Sequence, residues 1–227
     1  MTQRRIIALM GKSKSGKNAL ADMLLLHNTN GAQLAFADKL KTVCMDLFGL
    51  THDDCYTEEG KNRITEFPCY KCPACGSINC TLEAPTQVVC AGCTAVGAPE
   101  AFASFWTVRM VLQHVGTEGI RRVNDKTWVT HALTSAAALP AASFILITDC
   151  RFKSEAEAVW AAGGEVWRIR RPETDRKFQG IAGHKSETEM DTIPDSKFQR
   201  VINNDATLDV LRGKAVEGLT EFLRTRA

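Results

Sequence analysis

Five consecutive apolar residues, Ile6-Ile-Ala-Leu-Met10, run directly into the turn Gly11-Lys-Ser-Lys-Ser-Gly16-Lys17-Asn18. An unbroken apolar run of this length, bounded by polar residues and a glycine turn, reads as a strand buried on both faces of a parallel sheet. Past the turn, Leu20, Met23 and Leu24 recur at helical spacing and predict a helix from about Lys17 to His27. Strand, glycine loop and helix in immediate succession restrict the chain to folds in which a sheet edge meets a helix N-terminus.

The remaining pattern continues that alternation. Residues 37–50 read as a helix, and Val108, Val111, Leu112 and Val115 place another over 107–115. A further helix is expected over Trp128–Ala138. Ser143-Phe-Ile-Leu-Ile-Thr-Asp149 is the clearest strand, an apolar run ending in an acid. Ser154 and Glu157 have the spacing of a capping box, and Gly163-Gly164 ends the helix that follows. Glu165–Arg170 and Arg200–Asn203 read as strands, and Leu208, Leu211, Ala215, Leu219 and Phe222 form one face of a closing helix. The expected fold is α/β, a three-layer α/β/α arrangement of the P-loop NTPase type with a mostly parallel sheet.

Between Thr51 and Pro99 the periodicity fades while cysteine, proline and glycine accumulate. The expected organisation is a core of residues 1–50 and 100–227 carrying an inserted module at 51–99. Six of the nine cysteines fall between Cys69 and Cys93. The opening Met1-Thr-Gln-Arg-Arg and its short apolar run are too brief for a secretory h-region, and no apolar run approaches the roughly 20 residues of a membrane span. A cytoplasmic protein without membrane contact is expected, and clustered cysteines there favour metal over disulfides. The formal charge of +2, from 28 basic and 26 acidic residues, is far from the excess typical of proteins that live on a nucleic-acid backbone.

The loop matches G-x-x-x-x-G-K at seven of eight positions, with Asn18 where serine or threonine is usual. Glycines let successive backbone amides turn toward an anion, and the helix adds its positive end. Gly11, Ser13, Lys14, Ser15, Gly16, Lys17 and Asn18 are thus the candidate phosphate cradle, with Lys17 reaching the outer phosphates. The neutral amide of Asn18 is a poorer ligand for Mg²⁺ than the usual hydroxyl, so the metal could be held through water. Asp149 sits where ligands of open α/β sheets gather, and its carboxylate could hold Mg²⁺ or its waters while Arg151 meets a phosphate. Arg168, Arg170 and Arg171 lie on or just after the next strand. They lead into a polar, lid-like stretch, 172–194, containing His184-Lys-Ser-Glu187.

Cys72-x2-Cys75 and Cys90-x2-Cys93 form two knuckles separated by 14 residues. Four thiolates so spaced suit tetrahedral Zn²⁺, with Gly76 and Gly92 permitting the turns and Cys69 and Cys80 near enough to be alternative ligands. A closed four-cysteine site implies a structural zinc ribbon.

With these motifs in place, the chain resembles the deoxynucleoside monophosphate kinases of tailed phages, a branch of the P-loop kinases related to adenylate kinase. The matching segments are Leu9–Lys17 with Ala21-Asp22, Phe36–Lys41, Trp106–Gln113 with Gly116-Thr117, and Trp128-Val129. Further along come Thr148–Phe152 with Glu155, Gly163-Gly164, Arg171-Pro172, His184–Glu187 and Ile202–Asp205. The resemblance implies that Lys17 and its loop bind ATP with Mg²⁺. It also implies that Asp38, Lys39, Lys41, Arg109, Gln113, Gly116, Thr117 and Trp128 contact the acceptor nucleotide, and that Lys17, Arg109, Asp149, Arg151 and Arg171 carry catalysis. Arg109 and Gln113 also stand four apart on one helix face, so both can point into one cleft. Family members often carry aspartate at the position of Asn18, and the cysteine-rich insertion departs from them. If phage-encoded, the protein would work in the host cytoplasm.

The expected activity is transfer of the terminal phosphoryl group of ATP to a deoxynucleoside monophosphate. Two alternatives share these motifs: a related kinase acting on phosphomevalonate or dephospho-coenzyme A, and a zinc-ribbon nucleic-acid-binding ATPase. Near-neutral charge and the lack of a clear hydrolysis motif weigh against the second. Monomer and homodimer both stay open.

Overall fold

The computed structural model describes residues 5–139, 144–172 and 189–225. In chain order its elements are β1 (Ile6–Met10), α1 (Lys17–His27), β2 (Gly31–Leu34), α2 (Asp38–Phe48), α3 (His52–Tyr56), α4 (Glu58–Asn62), β3 (Ile64–Tyr70), β4 (Cys80–Ala84), β5 (Gln87–Cys90), β6 (Val96–Gly97) and α5 (Pro99–Phe102). There follow β7 (Ala103–Thr107), α6 (Val108–Gln113), a π-helical segment His114–Ile120, α7 (Arg121–Val123), α8 (Thr127–Ala138), β8 (Phe144–Cys150), α9 (Lys153–Ala161), β9 (Glu165–Arg170), β10 (Arg200–Asn203) and α10 (Leu208–Thr225). They divide into two compact units, Met1–Lys39 with Val123–Ala227, and Leu40–Arg122.

The first unit is the expected α/β fold. Its five-stranded sheet has the order β10-β9-β1-β8-β2, and each pairing is parallel. β1 lies in the middle and is buried at every position, as its uninterrupted apolar sequence requires. Side chains alternate across a strand, so Ile7 and Leu9 point to one face, where Leu20 and Leu24 of α1 and Leu211, Ala215, Leu219 and Phe222 of α10 meet them with Trp167 and Ile169. On the other side, α9 packs on β1 and β9, and α8 on α9. Each fully buried leucine or isoleucine contributes roughly 1.5–3 kcal/mol of transfer free energy, so the three layers hold one another.

Two local readings are corrected here. Ser154 and Glu157 do not form the capping box. Phe152 is extended and acts as the N-cap, so the helix begins at Lys153 and Glu155 stands at its third position. The Glu155 carboxylate accepts the amides of Phe152 at 3.0 Å and Arg151 at 2.8 Å. The helix expected over 107–115 begins at Val108 but changes at His114 into seven residues of π-helix.

The second unit is built around Cys44, Leu50, Cys55, Val108 and Val111, against which Leu40, Phe67, Trp106 and Leu112 pack. Within the stretch read as lacking periodicity, β4, β5 and β6 form a small antiparallel sheet, and β3 pairs antiparallel with β7 just beyond it. These strands were invisible to alternation because most of their residues are at least partly exposed on both faces. No described helix is long and apolar enough to cross a membrane.

One ion pair, between a buried carboxylate and a half-exposed guanidinium, links α3 with the end of α4 before β3. Asp54, 5% exposed, accepts Arg63 Nε at 2.6 Å and Nη2 at 2.8 Å, while its carboxylate also takes the Thr51 amide at 2.8 Å to cap α3. The Arg63 guanidinium holds the Asp54 carboxyl well below the usual carboxylate range, with Thr51 assisting against the upward pull of burial. A depressed folded value means that the stabilisation is complete above the unfolded pKa of about 3.9 and is lost as pH falls below it. Asp54→Asn should cost about 1–3 kcal/mol near neutrality, since it leaves a half-exposed rather than a buried guanidinium unpaired. In urea titrations the gap between variant and wild type should close as the pH is lowered through that window. A gap constant with pH would contradict the assignment.

Candidate functional site

The loop leaving β1 is fixed by contacts that admit only its own residues. A Cβ on Gly11 would lie 2.5 Å from the Ile169 carbonyl oxygen and 2.7 Å from Ser15 Oγ, so the backbone there passes β9 with no room for a side chain. Lys14 at φ 62° and Gly16 at φ 100° both take the left-handed conformation that folds the loop back on itself. Asn204, just beyond β10, donates Nδ2 to the Ser15 carbonyl at 3.0 Å while its amide bonds the Arg170 carbonyl at 2.7 Å. The loop is thereby tied to the carboxyl ends of β9 and β10.

Inside this turn, Lys17 is 8% exposed and its ammonium donates to the carbonyls of Gly11 at 2.5 Å and Lys12 at 2.7 Å. Ser15 is 1% exposed, and its hydroxyl is the one buried side-chain polar atom without a hydrogen-bond partner among the described residues. Gly16 caps α1 without any side-chain hydrogen bond, which leaves the first amides of that helix to other acceptors. Ser13, Lys14 and Asn18 are exposed around it. The turn thus sets a buried hydroxyl without a partner and a buried ammonium at the N-terminus of α1, surroundings that suit an anion. Beside it, a cavity of about 180 Å³ is lined by Gly11, Lys12, Arg168, Ile169, Arg170, Met190 and Asp191.

The acid-tipped strand delivers Asp149 to the same edge of the sheet. Its two oxygens accept the amides of Phe36 at 2.7 Å and Ala37 at 2.9 Å, which fixes the turn between β2 and α2. Asp38 completes that turn by accepting the Ala35 amide at 2.9 Å, and Lys39 follows in the first turn of α2. Arg151 and Arg171 follow β8 and β9, and Trp128, 5% exposed, packs in the first turn of α8.

The arginines of β9 are engaged rather than loose. Arg168, 6% exposed, donates to the Ile193 carbonyl, Asp195 and Asp191 at 3.0–3.1 Å, Arg170 pairs with Asp195 at 2.8 Å, and Lys12 with Asp191 at 3.0 Å. The end of the lid-like stretch, 189–194, is anchored by buried Met190 and Ile193. His184-Lys-Ser-Glu187 and the rest of that stretch beyond Pro172 lie outside the described residues.

The second unit carries the other candidate residues. Arg109, on α6, donates Nη2 to Glu58 at 2.8 Å and Nε to Asn62 at 3.3 Å. Lys41 stands 3.8 Å from the centre of the Tyr56 ring, which stacks on His52 at 4.2 Å. Gln113 ends α6, and Gly116 and Thr117 fall in the π-helical segment, a rare conformation that recurs at functional sites. Gly116 is buried against Leu40, whose methyl would lie 2.5 Å from an added Cβ.

In the same unit, the Sγ atoms of Cys72, Cys75, Cys90 and Cys93 lie within 4.8 Å of one another, a group able to hold a metal ion. Cys72 and Cys93 are 3.6 Å apart, as are Cys75 and Cys90. Four sulfurs at about 2.3 Å around a tetrahedral zinc would be about 3.8 Å apart, so the spacing fits. Among the described residues the group comprises those four; Cys69, in β3, and Cys80, whose thiol donates to the Ser77 carbonyl at 3.4 Å, are not in it. Gly76, at φ 73°, makes the first knuckle, whereas at the second the left-handed residue is Thr94, at φ 58°, and not Gly92. Gly92 instead donates its amide to Cys90 Sγ at 3.3 Å. Burial works against ionisation of Cys90, yet the Cys93 and Gly92 amides and the neighbouring thiols bring it down to about 6. Against the lowering pull of the Ala95 amide, the thiols of Cys75 and Cys72 push Cys93 up to about 12. Like charges so close suppress one another, and a divalent cation removes the conflict.

Asn204 lies in the matching segment Ile202–Asp205 but was given no role from the sequence, and Glu58, Lys61 and Asn62 were not singled out. A polar residue just past a strand's carboxyl end could have flagged Asn204, whereas Glu58 and its neighbours lie in the stretch without periodicity.

Gly16→Ala should cost about 1–2 kcal/mol through its backbone conformation alone. A further loss should arise because the new Cβ, 2.3 Å from Asn204 Nδ2, displaces the bond to Ser15. In an Asn204→Ala background, urea unfolding should recover the second part and keep the first; strict additivity would contradict the coupling.

No family model matches the chain. A protein of Acanthamoeba polyphaga mimivirus named "Putative deoxynucleotide monophosphate kinase" is 25% identical to it over 218 residues, which covers 90% of each chain.

Proposed function

We propose that this protein is a nucleotide kinase that transfers the terminal phosphoryl group of ATP to the phosphate of a deoxynucleoside monophosphate. The observation that carries this reading is the glycine turn Gly11–Lys17 between β1 and α1 at the carboxyl edge of a parallel sheet, with a buried, unpartnered Ser15 hydroxyl in it. The name of the mimivirus relative, which aligns across nine-tenths of both chains, supports the acceptor class.

In this reading the loop amides, Ser15 and Lys14 receive the triphosphate, and Lys17 exchanges the carbonyls of Gly11 and Lys12 for its outer oxygens. Mg²⁺, when bound, would neutralise those oxygens; Asn18 and the Asp149 carboxylate are its candidate contacts, directly or through water. Arg151 and Arg171 are assigned to charge compensation. Arg109, Lys41 and Gln113, with Thr117 and Trp128, are assigned to the acceptor. A monophosphate oxygen is already a nucleophilic anion, so positioning and charge stabilisation carry the rate and no Ser, Cys or His nucleophile is required. The four-cysteine cluster is assigned a structural Zn²⁺ within an inserted module.

ATP should be consumed stoichiometrically with at least one member of a panel of deoxy- and ribonucleoside monophosphates, and with neither phosphomevalonate nor dephospho-coenzyme A. Lys17→Ala should lower turnover by at least about a thousandfold, given the size of the effects that such charge stabilisation supplies, with the circular dichroism spectrum unchanged. Near-native turnover in that variant would defeat the assignment. Metal analysis of the purified protein should return one zinc per chain, lost in Cys90→Ser; protein free of zinc would remove the structural metal from the account.

A further inference from the structure

Around Glu58 the second unit gathers more positive charge than one carboxylate balances. Glu58 accepts Arg109 Nη2 at 2.8 Å and lies 3.6 Å from Lys61 Nζ. Asn62 orients the same guanidinium by accepting its Nε at 3.3 Å. Burial, and after it the nearby cations Lys41 and Arg109, depress the Lys61 ammonium below its ordinary value despite the help of Glu58. The exposures are ordered in a telling way. The Lys61 side chain is 23% exposed and that of Arg109 37%, whereas the carboxylate between them is 75% exposed. The cations form the floor, and the anion that neutralises them is the outermost member.

We infer that Glu58 is a place-holder in an anion seat whose floor is Lys61 and Arg109, and that the 5′-phosphate of the acceptor displaces it. This deepens the proposed function by adding Lys61 as a binding residue and Glu58 as a competitor for the same cations. A phosphate monoester dianion carries about twice the charge of a carboxylate and offers three acceptor oxygens, so it outbids Glu58 for two cationic donors. The Glu58 carboxylate is held weakly, because a mostly exposed ion pair contributes little, and it can swing into water at little cost. With the seat empty of phosphate, the glutamate keeps two cations from repelling each other.

The test is the affinity, by calorimetry, of the wild type, Glu58→Gln, Lys61→Ala and Lys61→Arg for the deoxynucleoside monophosphate that turns over fastest, or for inorganic phosphate if none turns over. Glu58→Gln should bind up to about fivefold more tightly, which is the factor that 1 kcal/mol of lost competition represents. Lys61→Ala should weaken binding by a similar factor or more, and Lys61→Arg should restore most of it. Glu58→Gln is nearly isosteric, and its thermal midpoint reports whether the fold is intact. If Glu58 merely braces α4 against α6, that variant will be less stable with its affinity unchanged, and the seat is overturned. Absence of turnover with every acceptor, accompanied by the predicted affinity changes, would count against the kinase reading and leave the seat standing.

Discussion

The passage of the Gly11 backbone against the Ile169 carbonyl is the constraint from which the rest of the first unit follows. Contact at that distance is possible only because β1 lies in the middle of a parallel sheet with β9 as its neighbour, and only because residue 11 has no side chain. The chain must then turn at once, through Lys14 and Gly16 in left-handed conformations, to start α1 at Lys17. The sheet sets the position of the loop, and the loop sets the direction of the helix. Asn204 closes the arrangement from β10 by bonding Ser15, a residue 189 positions earlier in the chain. A glycine turn with a buried hydroxyl in want of a partner is the outcome, held by elements that gain their stability elsewhere, in the layers of α1 and α10.

The second unit follows different physics. Its apolar clusters are small, and its organisation draws on polar and sulfur chemistry: the Asp54–Arg63 pair and the four converging thiols. Small sheets such as β4-β5-β6 bury too little to persist on apolar area alone. A metal among Cys72, Cys75, Cys90 and Cys93 would add what the core lacks, because binding energy at such a site becomes folding energy.

The central sheet was legible in the sequence because its strands are buried on both faces, so that hydrophobic runs such as Ile6–Met10 and Phe144–Ile147 leave one reading. β2 was not, since Gly31–Leu34 is a half-buried edge strand whose pairing with β8 is supplied by tertiary context. The grouping of Cys72, Cys75, Cys90 and Cys93 was legible from spacing, but the residue that turns the second knuckle was not: Thr94 takes a conformation that sequence preference assigns to glycine. The loop's residues were readable, whereas its tie to Asn204 and the engagement of Arg168 with Asp191 and Asp195 depend on chain segments far apart. Electrostatic partners of that kind leave no periodic trace, and Glu58 escaped notice for the same reason.

The central claim is that the turn from Gly11 to Lys17 holds the triphosphate of ATP. A crystal structure with a non-hydrolysable ATP analogue and Mg²⁺ tests it most directly. The account predicts phosphate density among the amides of residues 13–17, within hydrogen-bonding reach of Ser15 Oγ, with the Lys17 ammonium moved from the carbonyls of Gly11 and Lys12 onto the outer phosphates. An analogue bound elsewhere, with Lys17 still on those carbonyls, would contradict it.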